Sequence, residues 1–310
     1  MEFILNTREL LQILLNMPGI GMERAKNISS LYRDGQDLCQ LIKNLYPLLP
    51  ISEFSLNNAV SAMERIFQKA ESLNINIHCY KDYNYPLSFL SLNDFPPLIY
   101  SRGNTSALNR PLGAALIGSR RASDSILKMT ELIGEQLIQN GFSIVSGLAL
   151  GCDTVAHMTA IKHKRSTIAL MPCGPDVVYP RENMFLYDQI MEINGLILSE
   201  YEPGISPAPF RFVQRDRLQS GMSQIVVLME SHFRGGAMHT ANAALKQKKP
   251  LFVYVPSYHN ESNGGNRYLL NSHKVIPFSS PNEFAHHMKH MRKILRDCNR
   301  ETDQLIFPYV

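Results

Sequence analysis

Cysteine is scarce in this chain of 310 residues. The five present (Cys39, Cys79, Cys152, Cys173 and Cys298) are odd in number, scattered, and without a Cys-x-x-Cys pair. That pattern excludes a disulfide framework and a cysteine-based zinc site, and it fits a reducing compartment. The start, MEFILNTREL, lacks a basic stretch followed by an apolar run, so no secretory leader is expected. No apolar stretch approaches the roughly 18 residues a bilayer span needs, which leaves the cytoplasm as the expected location and no membrane partner. A dominant charge is also missing: 31 Lys and Arg face 27 Asp and Glu, a formal net charge of +4. Such a balance tolerates a polyanionic ligand without requiring one. Finally, no Gly-x-Gly-x-x-Gly follows the first strand of the α/β region, so the dinucleotide fingerprint fails where it belongs. No cofactor and no metal are expected.

What is present suits a globular protein with a substantial core: 45% of residues are hydrophobic and 19% charged. Residues 1–78 read as a small all-α domain, with Leu10, Leu11, Leu14 and Leu15 forming one apolar stripe and residues 59–73 another at helical spacing. Between them, Pro18-Gly19-Ile20-Gly21 closes a tight turn ahead of a helix carrying Arg24 and Lys26, in the manner of a helix-hairpin-helix or SAM-like domain. Its exposed N–H groups either face a DNA phosphate or simply join packed helices. A proline- and aromatic-rich connector, residues 83–103, is expected to be extended and irregular.

From residue 113 to about 278, apolar strands (114–117, 143–145, 167–171, 195–199, 225–229 and 251–255) alternate with helices (125–139, 154–163 and 237–246). Alternation of this kind means βαβ units and a buried, mostly parallel sheet. The expected architecture is therefore a Rossmann-like α/β domain over 79–280, preceded by the helical domain and followed by a C-terminal helix and tail, 281–310.

Ligands of open parallel sheets bind at the carboxyl ends of the strands. Gly118-Ser119-Arg120 follows the first strand, where Arg120 either grips a phosphate bidentately or ends an ordinary turn. Ser146-Gly147-Leu148-Ala149-Leu150-Gly151 forms a glycine-bearing cradle at a helix N-terminus. Asp153 and His157 beyond it, spaced i, i+4, read as a structural capping pair. Cys173 reads as a small buried thiol rather than a nucleophile. Tyr179 and Arg181, with Asn183, set a ring beside a cation on one loop, suiting base stacking next to phosphate binding. Phe210-Arg211-Phe212-Val213-Gln214-Arg215-Asp216-Arg217 interleaves aromatics with arginines, the strongest local signal for nucleic acid. Gly235-Gly236, with Thr240 on the helix that follows, offers a second anion-binding terminus. The convergence of these loops on one sheet edge points to a phosphate-bearing ligand.

In order, the motifs resemble those of the DprA/Smf family of DNA-processing proteins. The similarity runs through Tyr85-Pro86, Pro97-Leu98-Ile99-Tyr100, Gly118-Ser119-Arg120, Ser146-Gly147-Leu148-Ala149, Ala156-His157, Tyr179-Pro180-Arg181-Glu182-Asn183, Arg215-Asp216-Arg217 and Val255-Pro256, covering roughly residues 80–270. The resemblance implies a Rossmann-like domain that binds single-stranded DNA and hands it to a RecA-type recombinase during natural transformation. It also implies a homodimer and a binder, not an enzyme. Carried over, it makes Arg120, Arg181, Arg215 and Arg217 phosphate ligands, while Gly147, Gly151 and Gly236 admit the DNA backbone. Departures are visible. The usual Arg-Asn-Arg is Arg215-Asp216-Arg217, the usual Ser-Gly is Gly235-Gly236, and no winged-helix domain is expected after residue 280. Two alternatives stand beside this reading: a nucleotide-binding protein akin to phosphoribohydrolases, and a recombinase-binding scaffold whose pocket is vestigial.

Overall fold

A computed structural model describes residues 5–109, 112–258 and 260–291. The chain opens with four helices, α1 (Thr7–Leu15), α2 (Met22–Leu31), α3 (Leu38–Leu45) and α4 (Glu53–Ser72). Asn6 and Ser52 start α1 and α4 through capping boxes, each side chain accepting a backbone N–H at the third helical position. The hairpin between α1 and α2 turns at Gly19, whose φ of +75° is the left-handed region that glycine occupies freely. Arg24 donates to the Gly19 carbonyl at 2.6 Å and lies over the Tyr46 ring, while Lys26 pairs with Glu23 and sits 3.9 Å from the Phe95 ring centroid. Both cations near the hairpin are thus engaged within the protein.

Next come β1 (Ile75–Cys79), the short α5 (Leu87–Leu90) and β2 (Leu98–Gly103). The connector expected to be irregular therefore contains both a helix and a strand. β1 spans the 78/79 boundary expected between the two domains. It pairs antiparallel with β2, Ile75 opposite Arg102, and β2 continues antiparallel onto the sheet. This ribbon joins the two parts of the molecule. Ile75, Leu98 and Tyr100 share one core with Leu11, Leu14, Ile28 and Ile42 of the helices. Gln12 ties the same seam by donating to Glu202 at 3.0 Å and accepting the Tyr100 hydroxyl.

The α/β region follows as β3 (Gly113–Ile117), α6 (Asp124–Gln139), β4 (Ser143–Ser146), α7 (Cys152–Lys162), β5 (Thr167–Met171), α8 (Met184–Glu192) and β6 (Leu196–Ser199). It continues as α9 (Pro209–Gly221), β7 (Ile225–Leu228), α10 (Ala237–Lys246), β8 (Leu251–Tyr254), α11 (Gly264–Ser272) and β9 (Ile276–Phe278). Residues 281–291 are helical, and the expected tail from 292 onward lies outside the described residues. The nine strands form one sheet in the order β1-β2-β6-β5-β4-β3-β7-β8-β9, parallel from β6 through β9. Leu116, Ile144 and Phe252 pack against α6 and α7 on one face, and Ala115, Val226 and Val253 against α10 on the other. Burial on both faces is why these strands read as continuous apolar runs. Among the described residues, no helix is long and apolar enough to cross a membrane.

The segment expected to be an arginine-rich loop is the helix α9. Pro209 at its first turn lacks only an N–H that a helix start leaves unbonded anyway, and its fixed φ suits the helix. At the far end, the Lys249 ammonium donates to the carbonyls of Ser220 and Gly221 at 2.7 and 2.8 Å, holding the last turn.

Candidate nucleic-acid interface

The strand order fixes where a ligand can sit. From the central β3 the chain builds β4, β5 and β6 to one side, then returns to build β7, β8 and β9 on the other. The loops after β3 and β7 diverge at this switch point and leave a crevice outside the strand ends. A cleft of about 560 Å³ occupies it, lined by Gly118–Arg121, by Phe212, Arg215 and Asp216 of α9, and by Arg234–Gly236. A second cleft of about 650 Å³ adjoins it, lined by Gly147, Leu150, Tyr179, Arg181 and Phe212. Arg120 and Phe212 line both, with the guanidinium carbon 5.2 Å from the ring centroid. The Tyr179 ring meets Phe212 edge-on at 5.4 Å. A cation–aromatic ridge therefore separates the two hollows.

The sequence placed four arginines here as equals; the structure sorts them. Arg120 and Arg181 are exposed and make no ion pair among the described residues. Arg215 is buried, 4% exposed, and its guanidinium is committed inward. It donates to Asp216 at 3.0 Å, to the Gly147 carbonyl at 2.9 Å and to the Leu170 carbonyl. Arg217 faces away from the cleft: it grips Glu200 with two bonds of 2.9 and 2.8 Å and pairs with Asp94 at 2.7 Å. Residues two apart on a helix point roughly 200° apart, so Arg215 and Arg217 could share a face only if the segment were a loop or strand. Both of these expected phosphate ligands are thus engaged within the protein, Arg215 at the cleft and Arg217 away from it. Arg121 and Arg234, not selected from the sequence, also line this cleft: both are exposed at its rim and free of ion pairs among the described residues. Their position inside the two loops of the switch point was the available signal.

The expected anion cradle already holds an anion. The Gly147 N–H donates at 3.0 Å to Asp153, which reaches back from α7 instead of capping it; the cap position is Gly151, with no side-chain bond. Burial raises the Asp153 carboxyl to about 6, against the pull of Arg215 and the Gly147 N–H. Asp153 and His157 do not pair. His157 Nδ1 lies 2.9 Å from the Thr167 hydroxyl, whose own proton goes to the Ile144 carbonyl, so Nδ1 carries the hydrogen. Its Nε2 then accepts the Leu148 N–H at 3.4 Å. Burial, reinforced by Arg215, lowers this imidazole to about 3 and keeps it neutral. Leu148 between them has φ +56°, a conformation rare for a bulky residue. It is held there by full burial, by His157 and by Asn183, which donates to its carbonyl at 2.9 Å.

Several other expected contacts are structural too. Asn183 is buried and braces this loop, also reaching the Thr154 hydroxyl. The Ser146 hydroxyl donates to the Leu116 carbonyl, and that of Thr240 to Gln219. Ser119 accepts the Arg121 N–H at 3.1 Å, shaping the turn that presents both arginines. A Cβ at Gly147 would strike the Arg215 guanidinium, one at Gly151 the Ser119 carbonyl, one at Gly118 the Cys152 sulfur and one at Gly235 the Ser231 hydroxyl. These glycines let the protein pack against itself. Gly236 alone of the group has open space where a Cβ would stand, so it remains able to admit a ligand.

Asp153 gives a testable pH dependence. Its carboxyl binds a proton more tightly folded, at about 6, than unfolded, at 3.8. Its contribution to stability is therefore full below about pH 4 and lost as pH rises through 6. Asp153→Asn removes this loss while keeping an acceptor for Gly147. Between pH 4 and pH 8 the stability difference should move in the variant's favour by roughly 2 kcal/mol. Urea unfolding at both pH values measures it, and parallel profiles would contradict the assignment.

Comparison with known proteins agrees with this architecture. Residues 76–289 match the family described as DNA recombination-mediator protein A. The DNA processing protein DprA of Streptococcus pneumoniae is 35% identical over 217 residues, covering 70% of this chain and 73% of that one. Protein Smf of Synechocystis is 34% identical over 199 residues, 63% of this chain but only 50% of its own length. Among solved structures, that of the S. pneumoniae protein superposes with a TM-score of 0.71 at 26% identity over 90% of this chain and 92% of its own. DprA from Helicobacter pylori, whose structure describes its single-stranded-DNA binding mode, gives 0.61 at 34% identity over 69% and 96%. With the fold, the switch-point cleft and the sequence match in agreement, the chain belongs to the DNA recombination-mediator protein A family.

Proposed function

We propose that this chain binds single-stranded DNA across the switch-point cleft, as a binder and not a catalyst. One observation carries the reading: four exposed arginines without ion pairs among the described residues (Arg120, Arg121, Arg181 and Arg234) surround a ridge whose crest is the Phe212 ring. Guanidinium groups hold phosphates through paired N–H bonds, and the half-buried Phe212 ring, which lines both clefts, offers a face to an unstacked base. Duplex bases are stacked on one another and cannot reach such a ring, so the site favours the single strand. The relative from H. pylori, with its described single-stranded-DNA binding mode, supports the same ligand.

Delivery of the strand to a RecA-type recombinase, and action as a homodimer, follow from the family resemblance and belong to the same proposal. Phosphoribohydrolase-like chemistry finds no support in α10, Ala237–Lys246, which carries no glutamate to serve as the acid after Gly235-Gly236. The vestigial-pocket reading rested on Asp216, and that charge is matched by Arg215 at 3.0 Å.

The test is a titration of a labelled oligothymidylate of about 20 nucleotides against a duplex of equal length. Single-strand affinity should exceed duplex affinity by roughly tenfold or more at about 50 mM salt, and fall steeply by about 200 mM. Equal affinity for the two forms, or no binding at low salt, would overturn the proposal.

A further inference from the structure

The floor and the rim of the switch-point cleft carry opposite charge, and this constrains how a strand can lie there. The rim is cationic, with Arg120, Arg121 and Arg234 exposed. The floor holds two carboxyl groups, Asp153 and Asp216, each 6% exposed, against the single guanidinium of Arg215. A phosphate pushed to the floor would meet these carboxyl groups, whereas at the rim it meets arginines. A strand in this cleft is therefore held backbone outward and base inward.

Asp216 is placed to meet the base. It stands one helical turn from Phe212 on the same face of α9, so a base stacked on the ring projects its edge along the helix toward the carboxylate. Arg215 Nε occupies only one lone pair of Asp216 Oδ1. Asp216 lines the cleft with its side chain 9% exposed; burial raises its carboxyl, the Arg215 ion pair opposes that, and Arg120 is a further cation near it with Asp153 a further carboxyl. An ionised carboxylate only accepts hydrogen bonds. Guanine offers two adjacent donors on its Watson–Crick edge, N1–H and the 2-amino group. Adenine and cytosine each offer one amine beside an acceptor nitrogen. Thymine sets its single N3–H between two carbonyl oxygens, which the carboxylate repels.

Resting on the proposed binding of single-stranded DNA, we infer that Asp216 makes this cleft base-selective, preferring guanine, then adenine and cytosine, and thymine least. An amide in its place would offer one donor and one acceptor and discriminate little between edges.

The test uses four labelled homo-oligonucleotides of about 20 nucleotides, built from 7-deazaguanine, adenine, cytosine or thymine. The 7-deaza base keeps the Watson–Crick edge and prevents quadruplexes. The intact chain should bind the guanine series roughly five- to tenfold more tightly than all-thymine, and Asp216→Asn, nearly isosteric, should reduce the ratio to about twofold or less. Equal binding of all four by the unsubstituted chain overturns the inference while leaving single-strand binding intact, and needs no variant to fold. A preference undiminished in a folded Asp216→Asn, judged by its melting curve, also overturns it. Failure of all four to bind would instead remove the proposed function itself.

Discussion

Arg215→Ala is expected to lower the free energy of unfolding by about 3–5 kcal/mol, the usual cost of removing one partner of a buried ion pair. Three acceptors lose their donor together: Asp216, the Gly147 carbonyl and the Leu170 carbonyl. The buried Asp216 carboxylate would then have no counter-charge at hydrogen-bond distance, and the carbonyls ending β4 and β5 would face an empty volume. In a chain of this size the melting temperature should drop by roughly 5–15 °C. Lysine should not rescue it, because one ammonium cannot reproduce the planar fork that reaches acceptors on a loop, a strand and a helix. Thermal or urea unfolding measures the effect. A variant that melts like the unsubstituted chain but loses DNA binding would show Arg215 to be a ligand contact and not a strut.

The second large effect is on binding alone. Reversing two of the four free arginines around the ridge, Arg120→Glu with Arg181→Glu, should weaken single-strand affinity by roughly a hundredfold or more. Each reversal removes a charge-assisted bond of about 1.5–3 kcal/mol and adds repulsion. Both side chains are exposed, and neither holds an ion pair among the described residues, so stability should move by no more than about 0.5 kcal/mol per site. Loss of the Arg120–Phe212 contact leaves the ring available for stacking. Equilibrium titration with fluorescence anisotropy, alongside a melting curve, separates the two quantities. Unchanged affinity would move the binding site away from this ridge.

These two predictions divide residues that the sequence presented as alike, and the reason lies in α9. Strands β3 to β8 were legible because burial on both faces makes each a short apolar run. α9 has no such signature: Phe210 to Arg217 mixes rings and charges because one face lies under the loops and the other binds Glu200 and Asp94. A buried guanidinium broke the polar-outside rule that pattern reading depends on. β1 and β2 were missed for a different reason. Their pairing, Ile75 with Arg102 and Cys79 with Leu98, joins segments separated by a proline-rich stretch, and nothing local announces it. In the candidate site, the loops and the edge of the sheet were legible, since glycine and arginine at strand ends carry their own chemistry. The occupant of the Gly147 cradle was not: Asp153 folds back on an N–H six residues earlier, a contact that only the turn of the chain reveals.

The central claim, that phosphates are held by the rim arginines of the switch-point cleft, is tested most directly by salt dependence. For a single strand, log affinity should fall with log salt by about 0.7 for each phosphate neutralised. The Arg120→Glu, Arg181→Glu variant should give a slope shallower by about 1.4 than the unsubstituted chain, with an unaltered melting curve. Identical slopes for the two proteins would contradict the account.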